Sequence, residues 1–458
     1  MPMRHVARPR PRTDSVVAWA FAALSVATMV VTTWIGFRSW EAFWRAVIHP
    51  LDLQQPQALT TGLWSSDLMI LQVLLMARLP WLERAWGREV LTRWHRQLGY
   101  WSFWLMILHV LLFVLARSQH EPDAMAAAMG QLFLYAPWML VATIGTLLIV
   151  LVVVTSMIDV RRWMRYETWH LLHLYAYLGM GLALPHQLAT GDFRVGWIAA
   201  YWWVLYAGTL AVVLVWRVGV PLQRSLRHGI RIEGVHRETP DAVSVTMTGR
   251  DLQGLGTRSG QFFVWRFLGR RGWTRGHPYS VSAAPTGERL RVTIADEGDD
   301  GARAGDLRVG ARVIVEGPYG ALDLAHRRHK RFVMFAGGAG ITPFRALLED
   351  AEFAPGKAVL VYRVRTAEQA IFRTELEDLA MWRGFDLVLL AGPRRSPRSW
   401  LPEGVVGEET EAMERLVPGL ADRDVYLCGP PAWFAEVTRT ARACGVRRRD
   451  LHREDFSW

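Results

Sequence analysis

Four histidines lie inside otherwise apolar stretches of this chain, His95 and His109 in one and His173 and His186 in another. A metal-binding or ionisable side chain in a bilayer is costly and is retained for function, and two pairs at nearly equal separation ask for a shared ligand. Iron porphyrin, held by one imidazole on each face, is the simplest ligand that needs histidines two at a time. At a rise of ~1.5 Å per residue, the fourteen steps from His95 to His109 cover roughly 21 Å, which puts one histidine near each face of the hydrocarbon layer. The thirteen steps from His173 to His186 do nearly the same. Any one of these histidines could simply hydrogen-bond a neighbouring helix; four at matched depths favour two stacked bis-histidine b-type hemes, with His95, His109, His173 and His186 as the metal ligands.

Helical phase supports the two pairs unequally. At about 100° per residue, fourteen residues bring His109 within about 40° of His95, whereas thirteen leave His186 on a poorly matched face of an ideal helix. Pro185, with Gly179 and Gly181 before it, supplies a reason for non-standard winding. His170 is the rival inner ligand, but sixteen residues to His186 match the angle no better; its other reading is a supporting hydrogen-bond donor.

Further along, His277-Pro278-Tyr279-Ser280-Val281-Ser282 has the chemistry of a flavin site. Proline sets an extended backbone, the Tyr279 ring can lie against the isoalloxazine, and the Ser280 hydroxyl can bond the ring nitrogen that receives hydride. His277 stands where a base would neutralise phosphate, and Arg303 is a second candidate for the pyrophosphate. Glu316-Gly317-Pro318-Tyr319-Gly320 reads as a tight turn ending the same domain. Ala336-Gly337-Gly338-Ala339-Gly340-Ile341-Thr342-Pro343-Phe344 follows an apolar strand and opens a helix, so backbone amides can approach a pyrophosphate at a helix N-terminus. Gly337, Gly338, Gly340, Ile341, Thr342 and Pro343 are therefore expected at a nucleotide. Where an acidic side chain would hold a ribose hydroxyl, the chain has Arg363 and Arg365, which suit a 2′-phosphate and favour NADPH over NADH; the alternative is a pair of solvated strand-end charges. Leu427-Cys428-Gly429-Pro430 closes the last strand, and Cys428 either lines the nicotinamide pocket or is a buried structural thiol. In the tail, Glu454-Asp455-Phe456-Ser457-Trp458, Phe456 is the candidate to cover the flavin face.

These groups need a membrane part and a soluble part to hold them. The chain has 458 residues, 51% of them hydrophobic, and 23 tryptophans. It is too long for one compact domain and too apolar in its first half for a soluble enzyme. Its net charge of +11 comes almost wholly from arginine beside apolar runs, since Lys330 and Lys357 are the only lysines. That pattern reads as membrane anchoring, not as a nucleic-acid surface. With only Cys428 and Cys444, a disulfide framework and a zinc cluster are excluded. The first apolar run is too long for the core of a cleavable signal peptide.

Apolar stretches at Val16 to Ile35, Leu63 to Leu79, His95 to Ala116, Leu132 to Ile158, Trp169 to Leu188 and Val195 to Trp216 predict six spans, the second weakened by Asp67 and Gln72. Arginines at 4–12, 78–93, 161–165 and 217–227 fall on one side, against Arg38, Arg45, Arg117 and Arg194 on the other, which predicts both termini in the cytoplasm. After Pro221 the pattern becomes short alternating strands at Ala242 to Thr248, Gln261 to Phe267 and Leu290 to Ala295, a small antiparallel barrel. From Lys330, apolar runs at Arg331 to Ala336, Ala358 to Tyr362, Phe385 to Leu390 and Asp424 to Leu427 alternate with helical segments at Phe344 to Asp350, Phe372 to Trp382 and Pro431 to Cys444, a parallel α/β sheet. Gly392 to Pro402 reads as a loop. The expected domains are 1–219, 220–327 and 328–458.

Taken together and in this order, the paired membrane histidines, His-Pro-Tyr-Ser, Gly-Gly-Ala-Gly-Ile-Thr-Pro, Cys-Gly-Pro and the aromatic tail resemble the NADPH oxidase and ferric reductase superfamily, in its prokaryotic single-polypeptide form. The resemblance covers nearly the whole chain. It implies a multi-pass plasma-membrane protein with a six-helix transmembrane heme bundle, followed by a ferredoxin-reductase-like module that pairs an FAD-binding β-barrel with an α/β nucleotide domain. It implies electron transfer from cytoplasmic NADPH through FAD and two hemes to an extracytoplasmic small-molecule acceptor, dioxygen giving superoxide first and a ferric chelate as the alternative. An electron conduit serving an extracytoplasmic partner protein is the reading of a different class. Neither a calcium-binding extension nor a large extracytoplasmic domain is evident, and Ser457-Trp458 beyond Phe456 departs from the family's ending.

Overall fold

The structure is a computed structural model that describes residues 12–37, 55–120, 130, 137–161, 163–164, 166–189, 196–268, 275–296, 304–320, 322–324 and 327–454. The chain divides into two compact units at Val218/Gly219.

The first unit is helical: α1 (Arg12–Phe37), α2 (Gln55–Leu75), α3 (Pro80–Trp86), α4 (Arg88–His120), α5 (Pro137–Ser156), α6 (Ile158–Arg161), α7 (Tyr166–Ala189) and α8 (Gly196–Leu214). Among the described residues, α1, α2, α4, α5 and α8 are long and apolar enough to cross a membrane. At 24 residues α7 has the length of a span, but Glu167, three histidines, Gln187 and three tyrosines dilute its apolar character. The second span predicted at Leu63 begins instead at Gln55 and ends at Leu75. Its polar residues explain the shift: Thr60, Thr61, Ser65 and Asp67 are buried, so this helix turns its hydroxyls and carboxyl inward and not toward lipid. Half of its apolar span is buried, against 11% for α1. Thr32 of α1 donates to Asp67 Oδ2 at 3.4 Å and lies 3.1 Å from the Tyr201 hydroxyl of α8, which satisfies the carboxylate among helices.

Two helix pairs build the centre of this unit, α2 with α4 and α5 with α7. A side chain at Gly145 would meet the Gly179 carbonyl at 2.6 Å, and one at Gly179 would meet the Gly145 carbonyl at 2.9 Å. Gly179 thus lets α5 and α7 approach backbone to backbone, a packing role beyond the winding expected from the sequence.

The second unit starts with α9 (Val220–His228) and then forms six antiparallel strands: β1 (Arg231–Thr239), β2 (Ala242–Thr248), β3 (Phe262–Phe267), β4 (His277–Ser280), β5 (Arg289–Ala295) and β6 (Val313–Tyr319). They make two three-stranded sheets, β1-β2-β5 and β4-β3-β6, joined by bridges at Arg231/Arg312 and Val281/Val292. Inward residues such as Val245, Met247, Phe263, Trp265, Val292 and Val315 fill the interior. Five parallel strands follow in the order β11-β10-β7-β8-β9, with β7 (Phe332–Gly337) central, then β8 (Ala358–Val364), β9 (Asp386–Ala391), β10 (Asp424–Cys428) and β11 (Leu451–Glu454). Because β7 is buried on both faces, it reads as a continuous apolar run. Its alternate residues divide between two cores. Phe332, Met334 and Ala336 pack with α10 (Ile341–Asp350) and α11 (Arg373–Arg383). Val333 and Phe335 pack with α12 (Glu409–Leu416) and α13 (Pro431–Ala443). Strands β1, β6 and β11 and helices α9 and α12 are among the additions to the elements predicted from sequence.

Candidate functional site

Helices α4 and α7 bring the four histidines together in the expected pairs. The His95 and His173 ring centroids are 6.1 Å apart and those of His109 and His186 are 6.4 Å apart. It is His173, not His170, that faces His95. The pairing with His186 holds although α7 carries Pro185 in its interior.

Each imidazole is oriented through Nδ1. His95 Nδ1 donates to the Gln72 carbonyl at 3.1 Å and His109 Nδ1 to the Ala58 carbonyl at 2.6 Å, both on α2. His186 Nδ1 donates to the Ala183 carbonyl one turn back on its own helix. His173 Nδ1 lies 3.2 Å from the Ser156 hydroxyl, which also accepts the Trp169 indole N–H at 3.3 Å. Commitment of all four Nδ1 atoms leaves the Nε2 lone pairs for a ligand, as second-shell bonds do at metal-binding histidines. With metal–imidazole bonds of about 2 Å, two rings facing each other across one iron stand about 6 Å centre to centre, so the donor set and both spacings fit a bis-histidine heme. Trp169 packs 5.1 Å from the His173 ring, and Arg161 lies 4.6 Å over that indole.

Space for one of these rings depends on Gly62 of α2. A Cβ there would lie 2.7 Å from His109 Nδ1 and 2.9 Å from Cε1. Neither this glycine nor the carbonyl partners of the histidines carry a sequence signal, since every residue supplies a carbonyl.

The flavin motif occupies β4, the short edge strand paired with β3 through Trp265/His277 and Phe262/Ser280. Ser280 is buried, and its Oγ has no hydrogen-bond partner among the described residues. A buried hydroxyl of that kind is costly unless a ligand satisfies it, which fits a ring nitrogen of bound flavin. The His277 and Tyr279 rings stack at 5.9 Å and 13°, and the Trp265 indole N–H fixes the Tyr279 carbonyl at 2.9 Å. Glu316 to Tyr319 is not a turn: these residues are the end of β6, paired with β3 across a register shift between Phe262 and Val264. Gly317, at φ +141°, takes the irregular position, and its carbonyl accepts a hydrogen bond from Arg224 of α9. The buried Glu316 is held by the Tyr319 hydroxyl at 3.0 Å and Arg266 at 3.5 Å.

The glycine-rich loop leaves the C-terminal end of β7, between its neighbours β8 and β10, where strand order reverses and ligands of open α/β sheets bind. Gly338–Gly340 forms one tight turn and Ile341 starts α10. Gly340 has no room for a side chain, because a Cβ would lie 2.2 Å from the Cys428 carbonyl; the loop is thus seated on the Cys428-Gly429-Pro430 turn. The Thr342 hydroxyl is spent on the Ala339 carbonyl at 3.0 Å. Cys428 is fully buried within the core on the α10 side of the sheet. Arg363 is the penultimate residue of β8, with its side chain buried and donating to the Val364 carbonyl. Burial, then the charges of Arg394 and Arg365, hold its pKa below the usual arginine range. The Gly392 N–H donates to the Arg365 carbonyl at 2.9 Å, which brings the loop carrying Arg394 beside this strand end; Arg365 is exposed, and Arg394 was not foreseen. Arg303, Phe456 and Trp458 lie outside the described residues, as do Arg38, Arg45 and Arg194.

Residues 61–184 match the family described as "Ferric reductase like transmembrane component", and residues 334–439 match the "Oxidoreductase NAD-binding domain". NADH-cytochrome b5 reductase 1 of Candida glabrata is 33% identical over 190 residues, 38% of this chain and 65% of that protein. The ferredoxin reductase component of 3-ketosteroid-9-alpha-monooxygenase of Mycolicibacterium smegmatis is 29% identical over 238 residues, 50% of this chain and 65% of its own length. The chain thus spans 65% of the length of both relatives. Among solved structures, the flavohem-like FAD/NAD binding domain of nitric oxide dioxygenase from Vibrio cholerae aligns with 50% of this chain and 97% of that one, at 20% identity and a TM-score of 0.41.

Proposed function

Because the chain joins a ferric-reductase-like transmembrane domain to an oxidoreductase NAD-binding domain, the architecture of the NADPH oxidase / ferric reductase family, we propose that it is a transmembrane oxidoreductase carrying electrons from cytoplasmic NAD(P)H to an acceptor on the opposite face of the membrane. The observation that carries this reading is the pair of facing histidine couples, 6.1 and 6.4 Å between ring centroids, fourteen residues apart along α4. Once bound, FAD and two b-type hemes supply the change from a two-electron nicotinamide donor to one-electron transfer, which iron requires.

The chain's own residues define the remaining roles. His95 with His173 and His109 with His186 would each hold one heme iron through the two Nε2 atoms left uncommitted by the Nδ1 contacts. The unpartnered Ser280 hydroxyl would bond a flavin ring nitrogen, and the stacked Tyr279 and His277 rings would lie along the bound flavin. Backbone amides of the Gly337–Gly340 turn and the N-terminus of α10 receive the nucleotide pyrophosphate. Arg365, supported by Arg363 and Arg394, receives a 2′-phosphate and favours NADPH, with NADH as the weaker donor. Cys428, Gly429 and Pro430 would back the nicotinamide side of the crevice, and Phe456, outside the described residues, is the proposed cover of the flavin face.

The arginine bias supports a multi-pass protein of the cell membrane with both termini and the dehydrogenase domains inside. The acceptor we propose is dioxygen, giving superoxide; a ferric chelate or an extracytoplasmic partner protein is the competing outlet. Purified protein supplied with FAD and NADPH tests the choice. Cytochrome c reduction abolished by superoxide dismutase supports the oxidase, and chelate reduction under nitrogen replaces it with a metal reductase. Heme reduction with neither acceptor consumed refutes both and leaves the partner conduit.

A further inference from the structure

The barrel and the nucleotide sheet are tied by a network of four charged side chains that belongs to neither motif. Arg291 of β5 donates to both Glu375 oxygens on α11, Nη1 to Oε1 at 2.8 Å and Nη2 to Oε2 at 2.9 Å. Arg345 of α10 donates through Nε to the same Oε2 at 2.9 Å, and its Nη1 reaches Glu349. The outer arms grip the chain just beyond the flavin strand: Arg291 Nη2 also donates to the Ser282 carbonyl at 3.0 Å, and Glu349 accepts the Ala284 N–H at 2.6 Å. The guanidinium of Arg291 further lies 4.7 Å over the Phe372 ring, at the residue that caps α11.

Ser282 is two residues past Ser280, and Arg345 is one turn past the start of α10, where the glycine loop ends. The network therefore fixes β4, with its flavin-facing hydroxyl, against the helix that carries the nucleotide loop. Two further hydrogen bonds between these parts among the described residues, Ser259 to Asp350 at 2.9 Å and Gln369 to Asp241 at 2.7 Å, each join one neutral group to one carboxylate. The bidentate, charge-assisted core is the stiffer link. The Arg291 and Arg345 side chains are 17% and 12% exposed, so loss of Glu375 leaves the largely buried Arg291 cation without its carboxylate and Arg345 with Glu349 alone, a costly arrangement.

We infer that Glu375, with Arg291 and Arg345, is a positioning clamp that sets the distance between nicotinamide and flavin for hydride transfer. The inference rests on the reading that NAD(P)H reduces a flavin held at β4. Hydride transfer needs reacting atoms in near-attack geometry, and a displacement of about 1 Å costs roughly 100-fold. None of the clamp residues belongs to the Gly337–Gly340 turn or to the Arg365 strand end, so nucleotide affinity should stay nearly intact.

The test is anaerobic single-turnover reduction of the flavin in full-length Glu375→Gln. The limiting rate should fall roughly 10- to 100-fold, with the half-saturating NADPH concentration within about threefold of wild type, unchanged flavin content, and a weakened long-wavelength charge-transfer band. Glu375→Asp, which keeps the charge, should recover part of the rate. Arg291→Lys, which keeps the charge but loses the bidentate contact, gives a milder loss and serves if the glutamine variant does not fold. A wild-type limiting rate in Glu375→Gln, or a rate loss matched by equal losses of flavin and nucleotide affinity in both variants, overturns the clamp. Failure of NADPH to reduce the wild-type flavin at all overturns the underlying reading instead.

Discussion

Replacement of Gly62 by alanine puts a methyl group against the His109 ring of the outer histidine pair. The added carbon would lie 2.7 Å from His109 Nδ1, 2.9 Å from Cε1 and 3.1 Å from Cγ. Ordinary carbon contacts begin at about 3.5 Å, so the ring or the helix has to move by about 0.8 Å. The ring cannot simply turn away, because Nδ1 is bonded to the Ala58 carbonyl at 2.6 Å and the opposite edge faces His186. Overpacking of this kind costs about 1–3 kcal/mol, and alanine returns about 1 kcal/mol of helix propensity. The propensity gain acts on the helix as a whole, while the clash acts on the ring that must bind iron. A loss of ~1.4–2.8 kcal/mol at that ring weakens heme retention there roughly 10- to 100-fold. The inner pair is oriented by Gln72, Ser156 and Trp169 and does not share the clash. Heme-to-protein ratio by pyridine hemochrome, together with low-temperature α-band spectra, should show one heme retained and one depleted. Gly208→Ala, where nothing lies within 4 Å of the new carbon, should retain both. Full heme content and an unaltered spectrum in Gly62→Ala would refute the reasoning.

Three further outcomes follow from the soluble unit. Ser280→Ala removes the buried unpaired hydroxyl and should slow flavin reduction roughly 100-fold with FAD still bound, as loss of one preorganised donor does elsewhere; stopped-flow absorbance reads it. Arg365→Ala should lower kcat/KM for NADPH roughly 10- to 100-fold while leaving that for NADH within about twofold, the value of a charged hydrogen bond to phosphate; equal losses with both nucleotides would remove the 2′-phosphate assignment. For Glu375, burial alone would push its carboxyl up, but the Arg291 hydrogen bond and the charges of Arg291 and Arg345 outweigh it and hold the pKa below its ordinary 4.5. A depressed carboxylate contributes stability that is fully present above 4.5 and is lost as pH falls through the lowered folded value. The gap in thermal stability between wild type and Glu375→Gln should accordingly be constant from neutral pH down to about 5 and close only in stronger acid; a gap that closes near neutral pH would contradict that assignment.

What could be read in the sequence was chemistry carried by residue type. Histidines among leucines and tryptophans announce themselves, as do a Gly-Gly-Ala-Gly loop after an apolar run and a His-Pro-Tyr-Ser strand. The strands within Arg331 to Ala336 and Ala358 to Tyr362 are legible because strands covered on both faces are apolar runs. What escaped depends on partners distant in the chain or on groups common to all residues. The Ala58, Gln72 and Ala183 carbonyls orient three histidines, yet a carbonyl has no signature. The apolar stretch at Leu63 starts eight residues after α2 does, because Gln55 to Thr61 are mostly polar, yet Thr60 and Thr61 are buried among helices. The Glu316 to Tyr319 segment has the composition of a turn but is drawn into β6 by pairing with β3. The Arg363 side chain points back to its own backbone, and only the fold shows that Arg394, thirty-one residues on, shares its corner.

The central claim is that two irons are clamped at two levels between α4 and α7, and heme stoichiometry with site-by-site deletion tests it most directly. Purified wild-type protein should carry two low-spin bis-histidine hemes per chain. His173→Ala and His186→Ala should each retain one, with different α-bands, and the double variant should retain none. A wild-type preparation without Soret absorption, or a double variant that keeps both chromophores, would contradict it.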